Sequence, residues 1–84
     1  MRPVTIYTTS WCPYCASAKA LLTRKGVDFH EIDVDRVDGA RETMIGRAGR
    51  TSVPQIFIGD DHVGGCDDLH ALERGGRLDP MLTA

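Results

Sequence analysis

A run of β-branched and aromatic residues, Val4-Thr5-Ile6-Tyr7-Thr8, stops at Ser10-Trp11-Cys12-Pro13-Tyr14-Cys15, and a helical pattern begins inside that stop. This junction constrains the fold more than any other feature of the chain. The run before it reads as a strand. From about Pro13 to Lys25, Cys15, Ala18, Leu21 and Leu22 recur at three- and four-residue intervals, which predicts a helix. Pro13 suits a first turn, where its missing N–H costs nothing. Gly26 stands where a C-terminal cap belongs, after the basic pair Arg24 and Lys25. Val27 to Asp33 alternates as a second strand. Strand, helix and strand in that order imply a parallel pair with a right-handed crossover.

Asp38 is the expected N-cap of a second helix, with Ala40, Met44, Ile45 and Ala48 along one side and Gly49 at its end. Gln55-Ile56-Phe57-Ile58, a Gly59-Asp60-Asp61 turn and His62-Val63-Gly64 read as a strand–turn–strand hairpin, hence an antiparallel pair. Gly64-Gly65 leads into a third helix from about Cys66 to Arg74, closed by Gly75-Gly76, and a short terminal helix is expected near Leu78 to Leu82. The order β-α-β-α-β-β-α predicts an α/β fold, a four-stranded mixed sheet flanked by helices on both faces. The 84 residues show no linker, repeat or low-complexity segment and read as a single domain, residues 1–84. A chain of this length buries only about 60–65% of its unfolded surface, so the core must be compact.

Charge is close to balance, 10 Lys+Arg against 12 Asp+Glu for a net of −2. No basic excess announces a nucleic-acid partner or an anionic membrane surface. Apolar runs such as Ile56-Phe57-Ile58 fall far short of the roughly 20 residues that cross a bilayer. Met1-Arg2-Pro3 leads straight into the first strand without an apolar signal core, so the expected location is the cytoplasm. Three cysteines, at 12, 15 and 66, make an odd count that argues against a disulfide-stapled secreted scaffold. A 12–15 bridge would also be a poor staple, since so small a loop gives only about 2 kcal/mol against about 3 for a 15-residue loop. Two thiols this close suit chemistry better than reinforcement.

Cys12 is the expected reactive thiol. It lies where the strand gives way to the helix, beside unpaired backbone N–H groups and the positive end of the dipole. The thiolate is the nucleophile, and a free cysteine with pKa about 8.5 is only ~3% ionised at pH 7. Lowering that pKa by about two units raises the fraction to roughly three quarters and needs about 2.7 kcal/mol. A helix dipole supplies about 0.3–1 kcal/mol, at most ~2. Hydrogen bonds to sulfur, expected from the N–H groups of Tyr14 and Cys15, must supply much of the rest. Cys15, inside the first turn, is expected to be more buried and to keep the higher pKa. The plainer readings are an inert packed pair or half of a zinc site. A structural zinc wants four ligands, whereas only Cys66 remains and His62 and His70 are eight residues apart. No metal is expected.

Cys12-Pro13-Tyr14-Cys15 after a Val-Thr-Ile-Tyr-Thr strand, Thr51-Ser52-Val53-Pro54, and Gly64-Gly65-Cys66-Asp67-Asp68 together resemble the small, bacterial-type dithiol glutaredoxins. A lone C-x-x-C would be unspecific, because thioredoxins share it. The three segments stand in family order and spacing, and the resemblance spans nearly the whole chain. It implies a thioredoxin-like fold and a thiol–disulfide oxidoreductase in which Cys12 attacks, Cys15 resolves and glutathione is co-substrate.

The resemblance also implies a glutathione site. Val53-Pro54 is similar to the family's cis-proline turn, whose backbone at Val53 pairs with the cysteinyl part, and Ser52 belongs to the same segment. An ordinary trans proline at a strand start is the alternative. Gly65-Cys66-Asp67 is similar to the γ-glutamyl site, with free N–H groups for the carboxylate and Asp67 for the ammonium. Ordinary capping by acidic residues is the alternative there, and Asp68 fits it. Cys66 contributes backbone. Arg41 matches a position that pairs with the glycyl carboxylate, although a lone arginine on a charged helix face is usually just solvated. Tyr14 resembles the active-site aromatic that flanks the tripeptide; a core tyrosine is its alternative. One departure stands out: many members place a lysine three residues before the nucleophile, and this chain has Thr9. Arg41 and Lys19 are the cations left to take that part. Trp11 is reminiscent of thioredoxins.

The implied partners are glutathione and disulfide-containing or glutathionylated proteins, ribonucleotide reductase among the candidates, acted on by a monomer. The rival reading is a thioredoxin-like electron donor served by a flavoprotein reductase. Trp11 and the missing lysine favour it; Asp67 and the paired glycines oppose it. A third reading is a carrier holding an iron–sulfur cluster between two chains through Cys12 and glutathione. Pro13 opposes that by stiffening the loop.

Overall fold

Alternation along two strands decides where everything else packs. A computed structural model describes residues 1–84. Its elements are β1 (Val4–Thr8), α1 (Pro13–Arg24), β2 (His30–Asp33), α2 (Ala40–Ala48), β3 (Gln55–Ile58), β4 (Asp61–Gly64), α3 (Cys66–Arg74) and α4 (Leu78–Thr83). The four strands form one sheet in the order β2-β1-β3-β4. β1 runs parallel to β2 and antiparallel to β3, with Ile6 opposite Ile56, and β3 pairs antiparallel with β4. This is the mixed four-stranded α/β sheet expected above, with one helix more than the core order, at the C-terminal segment expected near Leu78.

Side chains alternate between the faces of a strand. Val4 and Ile6 of β1 and Ile56 and Ile58 of β3 therefore point to one side, where Ala18, Leu21, Leu22, Leu69, Leu78 and Leu82 of α1, α3 and α4 cover them. Tyr7 and Phe57 point to the other side and meet Ala40 and Met44 of α2. Ile6, Leu22, Ile56 and Leu69 are fully buried, and truncation of any one to alanine is expected to cost about 2–5 kcal/mol. No helix is long and apolar enough to cross a membrane.

Three expectations need correction. Val27 to Phe29 are not strand, because Val27 finishes the preceding helix. Its N–H donates to Leu22 O and the Gly26 N–H to Thr23 O, both at 3.0 Å, with Gly26 left-handed at φ 71°. That is a Schellman closure, which turns the chain before β2 can start. Asp38 does not cap α2. The cap is Gly39 at φ 76°, with no side-chain bond, and the Ala40 N–H goes to Val37 O at 3.1 Å. Ile45 does not join Ala40 and Met44 in the core and stays exposed.

Candidate active site

Cys12 is the N-cap of α1, with an extended backbone (φ −141°, ψ 100°) and Pro13 in the first helical position. An N-cap side chain ordinarily turns an oxygen toward the free N–H groups of the first turn. Here a sulfur does so: the Cys15 N–H donates to Cys12 Sγ at 3.0 Å. Tyr14, the other expected donor, makes no such bond. The two sulfurs are joined, their Cα atoms 5.1 Å apart. The first turn of α1 carries no acidic residue, so no carboxylate competes for the positive end of the dipole. The three-residue spacing also separates the pair in depth, with Cys12 half-buried and Cys15 1% exposed.

The turn before β3 meets this sulfur from across the fold. The Val53 carbonyl oxygen lies 3.9 Å from Cys12 Sγ, and the Val53–Pro54 peptide is cis. Gln55, buried at the start of β3, donates from Nε2 to Ser52 O at 2.9 Å, and its Oε1 meets His62 Nε2 at 2.7 Å. A buried amide with both ends engaged ties the turn to the sheet.

The start of α3 forms the opposite wall. Gly64 sits at φ +116°, where a Cβ would overlap the Asp68 carboxylate. Asp68 Oδ2 accepts from the Gly65 N–H at 2.9 Å and from Arg50 Nη1 at 3.2 Å. The Gly65 N–H first, and then Arg50, hold the Asp68 carboxyl below its ordinary range. Asp68 is thus the cap that the sequence suggested, while Asp67 beside it is exposed. The first helical bond of α3 runs from Leu69 N–H to Gly65 O at 3.0 Å. The N–H groups of Cys66, Asp67 and Asp68 therefore have no helical partner.

Between these walls lies an open cleft of about 140 Å³, lined by Tyr14, Arg50, Ser52, Val53, Pro54, Gly65, Cys66, Asp67 and Asp68. Six of the site residues singled out from sequence meet here: Tyr14, Ser52, Val53, Pro54, Cys66 and Asp67. Tyr14 is 65% exposed and is no core residue. Cys66 is a free, buried thiol. Thr9 and Arg41 stand outside the lining, and Arg41 gives its guanidinium to Asp35 at 2.6 Å. Lys19 is equally committed, to Glu31 at 3.0 Å. Glu31 also accepts from Thr8 Oγ1 at 2.7 Å; that bond first, then Lys19, hold its carboxyl below the usual range. Arg50 is the cleft residue that the sequence did not reveal. A solitary arginine before Thr51 carries no local mark, and only packing against Asp68 brings it to the site.

A sequence model described as glutaredoxin matches residues 4–63. A protein named glutaredoxin from Pseudomonas aeruginosa is 63% identical over 84 residues, covering all of both chains. The chain belongs to the glutaredoxin family. Glutaredoxin 3 of Escherichia coli K12 is 58% identical over 82 residues, covering 98% of this chain and 99% of that one. Among solved structures, a buckwheat glutaredoxin–glutathione complex superposes with a TM-score of 0.89 at 33% identity, over 98% of this chain and 77% of that one. A Brucella melitensis glutaredoxin gives 0.85 at 58% identity, over 98% and 89%. As a glutaredoxin, the protein is a thiol–disulfide oxidoreductase with a thioredoxin-like fold, and Cys12 and Cys15 are its dithiol.

Proposed function

We propose that this glutaredoxin uses glutathione to reduce protein disulfides and protein–glutathione mixed disulfides. The observation that carries the reading is the cleft beside Cys12, where three segments distant in sequence converge. The Cys12 thiolate attacks a substrate disulfide, forming a mixed disulfide and releasing the other sulfur as a thiolate. Cys15 then displaces a protein substrate by closing the 12–15 bridge. Two glutathione molecules reopen that bridge and leave as oxidised glutathione. Cys12 alone removes glutathione from a glutathionylated protein.

In this reading the cleft holds the tripeptide along its length. Val53 meets the cysteinyl part through its backbone, with Ser52 and Pro54 shaping that turn and Tyr14 flanking it. The free N–H groups at Cys66 and Asp67 take the γ-glutamyl carboxylate, and the Asp67 side chain takes the ammonium. Arg41 takes the glycyl carboxylate from outside the present lining, with Thr9 offering a hydroxyl in place of a cation. The exposed Arg41–Asp35 pair is worth at most about 1 kcal/mol, so an incoming carboxylate can displace Asp35. The buckwheat relative solved with glutathione supports the co-substrate. We further read residues 1–84 as one domain acting as a monomer in the cytoplasm, where a reduced glutathione pool can drive it.

The test is turnover of the oxidised protein with NADPH under two regimes, glutathione plus glutathione reductase, or thioredoxin reductase alone. Rapid reduction is expected only with glutathione. Reduction by the flavoprotein alone, with none by glutathione, would replace this reading with a thioredoxin-like electron donor.

A further inference from the structure

Trp11 is the most exposed large apolar side chain in the fold, 96% in solvent, and it immediately precedes Cys12. It belongs to neither apolar core and does not line the cleft. A scattered exposed apolar residue ordinarily needs no explanation. Trp11 differs because it is one peptide away from the reacting sulfur. Tyr14, the other exposed aromatic of the motif, lines the cleft. The two rings are therefore not equivalent: Tyr14 lines the cleft, whereas Trp11 stands beside Cys12 with its ring in solvent.

We propose that Trp11 is a specificity-determining residue for polypeptide substrates. Its ring receives the residue next to the substrate's disulfide-bonded cysteine, preferentially an apolar one, and takes no part in holding glutathione. The second half of that statement rests on the glutathione cleft proposed above.

The covalent intermediate brings a substrate's own chain close to Trp11. When the Cys12 thiolate displaces one sulfur of a substrate disulfide, a Cys12–substrate S–S bond forms and the displaced sulfur leaves as a thiolate, so no other oxidant or reductant enters this step. The Cα atoms across a disulfide lie about 4.4–6.8 Å apart, and neighbouring Cα atoms in a chain are about 3.8 Å apart. The substrate cysteine is thus held within about 11 Å of the Trp11 Cα. Its flanking residues, one more peptide away, can reach the indole ring when they run toward α1. Glutathione, with only glycine on one side and a γ-linked glutamate on the other, is accommodated along Val53, Cys66 and Asp67. A polypeptide continues past its cysteine in both directions, so part of it must leave the cleft, and the exposed ring beside Cys12 is a surface it can lie on. Tryptophan suits that place, offering a large rigid face at low entropic cost, and it is enriched among interface residues whose truncation costs most.

The experiment compares Trp11→Ala and Trp11→Phe with the unaltered protein on three substrates: a peptide disulfide with leucine beside each cysteine, the same peptide with glycine there, and the cysteine–glutathione mixed disulfide. Trp11→Ala is expected to lower kcat/KM at least tenfold on the leucine peptide, mainly through KM, and to stay within twofold on the mixed disulfide. The preference of the unaltered protein for leucine over glycine is expected to collapse in Trp11→Ala and to return largely in Trp11→Phe. Recycling with dithiothreitol in place of glutathione should give the same peptide ratios, so failure of the glutathione reading leaves this arm intact. Equal losses on all three substrates would overturn the proposal, because the ring would then be acting on Cys12 itself. Unchanged peptide kinetics would overturn it as well, including the case in which Trp11→Ala abolishes a dimer of the protein.

Discussion

Two helices begin at the cleft, and they use the same positive terminus in opposite ways. α1 starts with a cysteine as its cap and has no acidic residue in its first turn. α3 carries Asp67 and Asp68 in its first turn, and Asp68 already occupies the Gly65 N–H. At α3 a fixed carboxylate satisfies part of the helix start, and the chain is locked there by Gly64, which admits the Asp68 oxygen where a Cβ would collide. At α1 the Cys12 sulfur holds that place, and in the proposed reaction its charge changes. A helix terminus can thus hold a fixed carboxylate or a sulfur, and α1 leaves its positive end free of any competing carboxylate.

The largest expected effect is at α1. Cys12→Ser should abolish turnover on every substrate, whereas Cys15→Ser should lose reduction of protein disulfides by the dithiol route and keep deglutathionylation, as read by glutathione-coupled assays. Equal loss in both variants would erase the difference in depth as the basis for their roles. At α3 the effect should be graded. If Asp67 holds the γ-glutamyl ammonium as proposed, Asp67→Asn removes a charge-assisted hydrogen bond worth about 1.5 kcal/mol or more, so KM for glutathione should rise roughly tenfold with kcat little changed. Steady-state kinetics against glutathione concentration measure the split.

Asp68→Ala should act on stability instead, by about 0.5–1 kcal/mol in denaturant unfolding, since its carboxylate is half exposed and partly screened. Its folded carboxyl titrates below the ordinary 3.8. A group whose pKa is lowered by folding contributes stability above its unfolded pKa and loses it as pH falls through the folded value. The stability gap between the unaltered protein and Asp68→Asn should therefore be full near neutrality and shrink below about pH 4. The smallest effect comes from making α1 resemble α3. Ala16→Glu, on an exposed position of the first turns, should raise the Cys12 pKa by about 0.2–0.7, the equivalent of 0.3–1 kcal/mol of lost terminus stabilisation. Thiolate absorbance against pH would show it; no shift would mean that the Cys15 N–H, not the dipole, holds the anion.

What was legible in the sequence was local. Pro13, the Cys12–Cys15 spacing and Gly26 determine a helix that begins at a sulfur and ends in a Schellman turn, because capping and i,i+3 relations need only neighbouring residues. The β-branched runs at Val4–Thr8 and Gln55–Ile58 likewise declared their strands, and Gly75-Gly76 the end of α3. The start of α2 is at Gly39 and not at Asp38, since a left-handed glycine can begin a helix with no polar cap to announce it. Only tertiary structure decided the partners of the charges. Lys19 and Arg41, free on paper to serve the site, are paired with Glu31 and Asp35, while Arg50 comes to the cleft through Asp68. An ion pair depends on a few ångströms of separation across the fold. For Lys19 and Glu31 that separation is set by where α1 lies over β2, and for Arg50 and Asp68 by the approach of α3 to the segment before β3, which no residue encodes on its own.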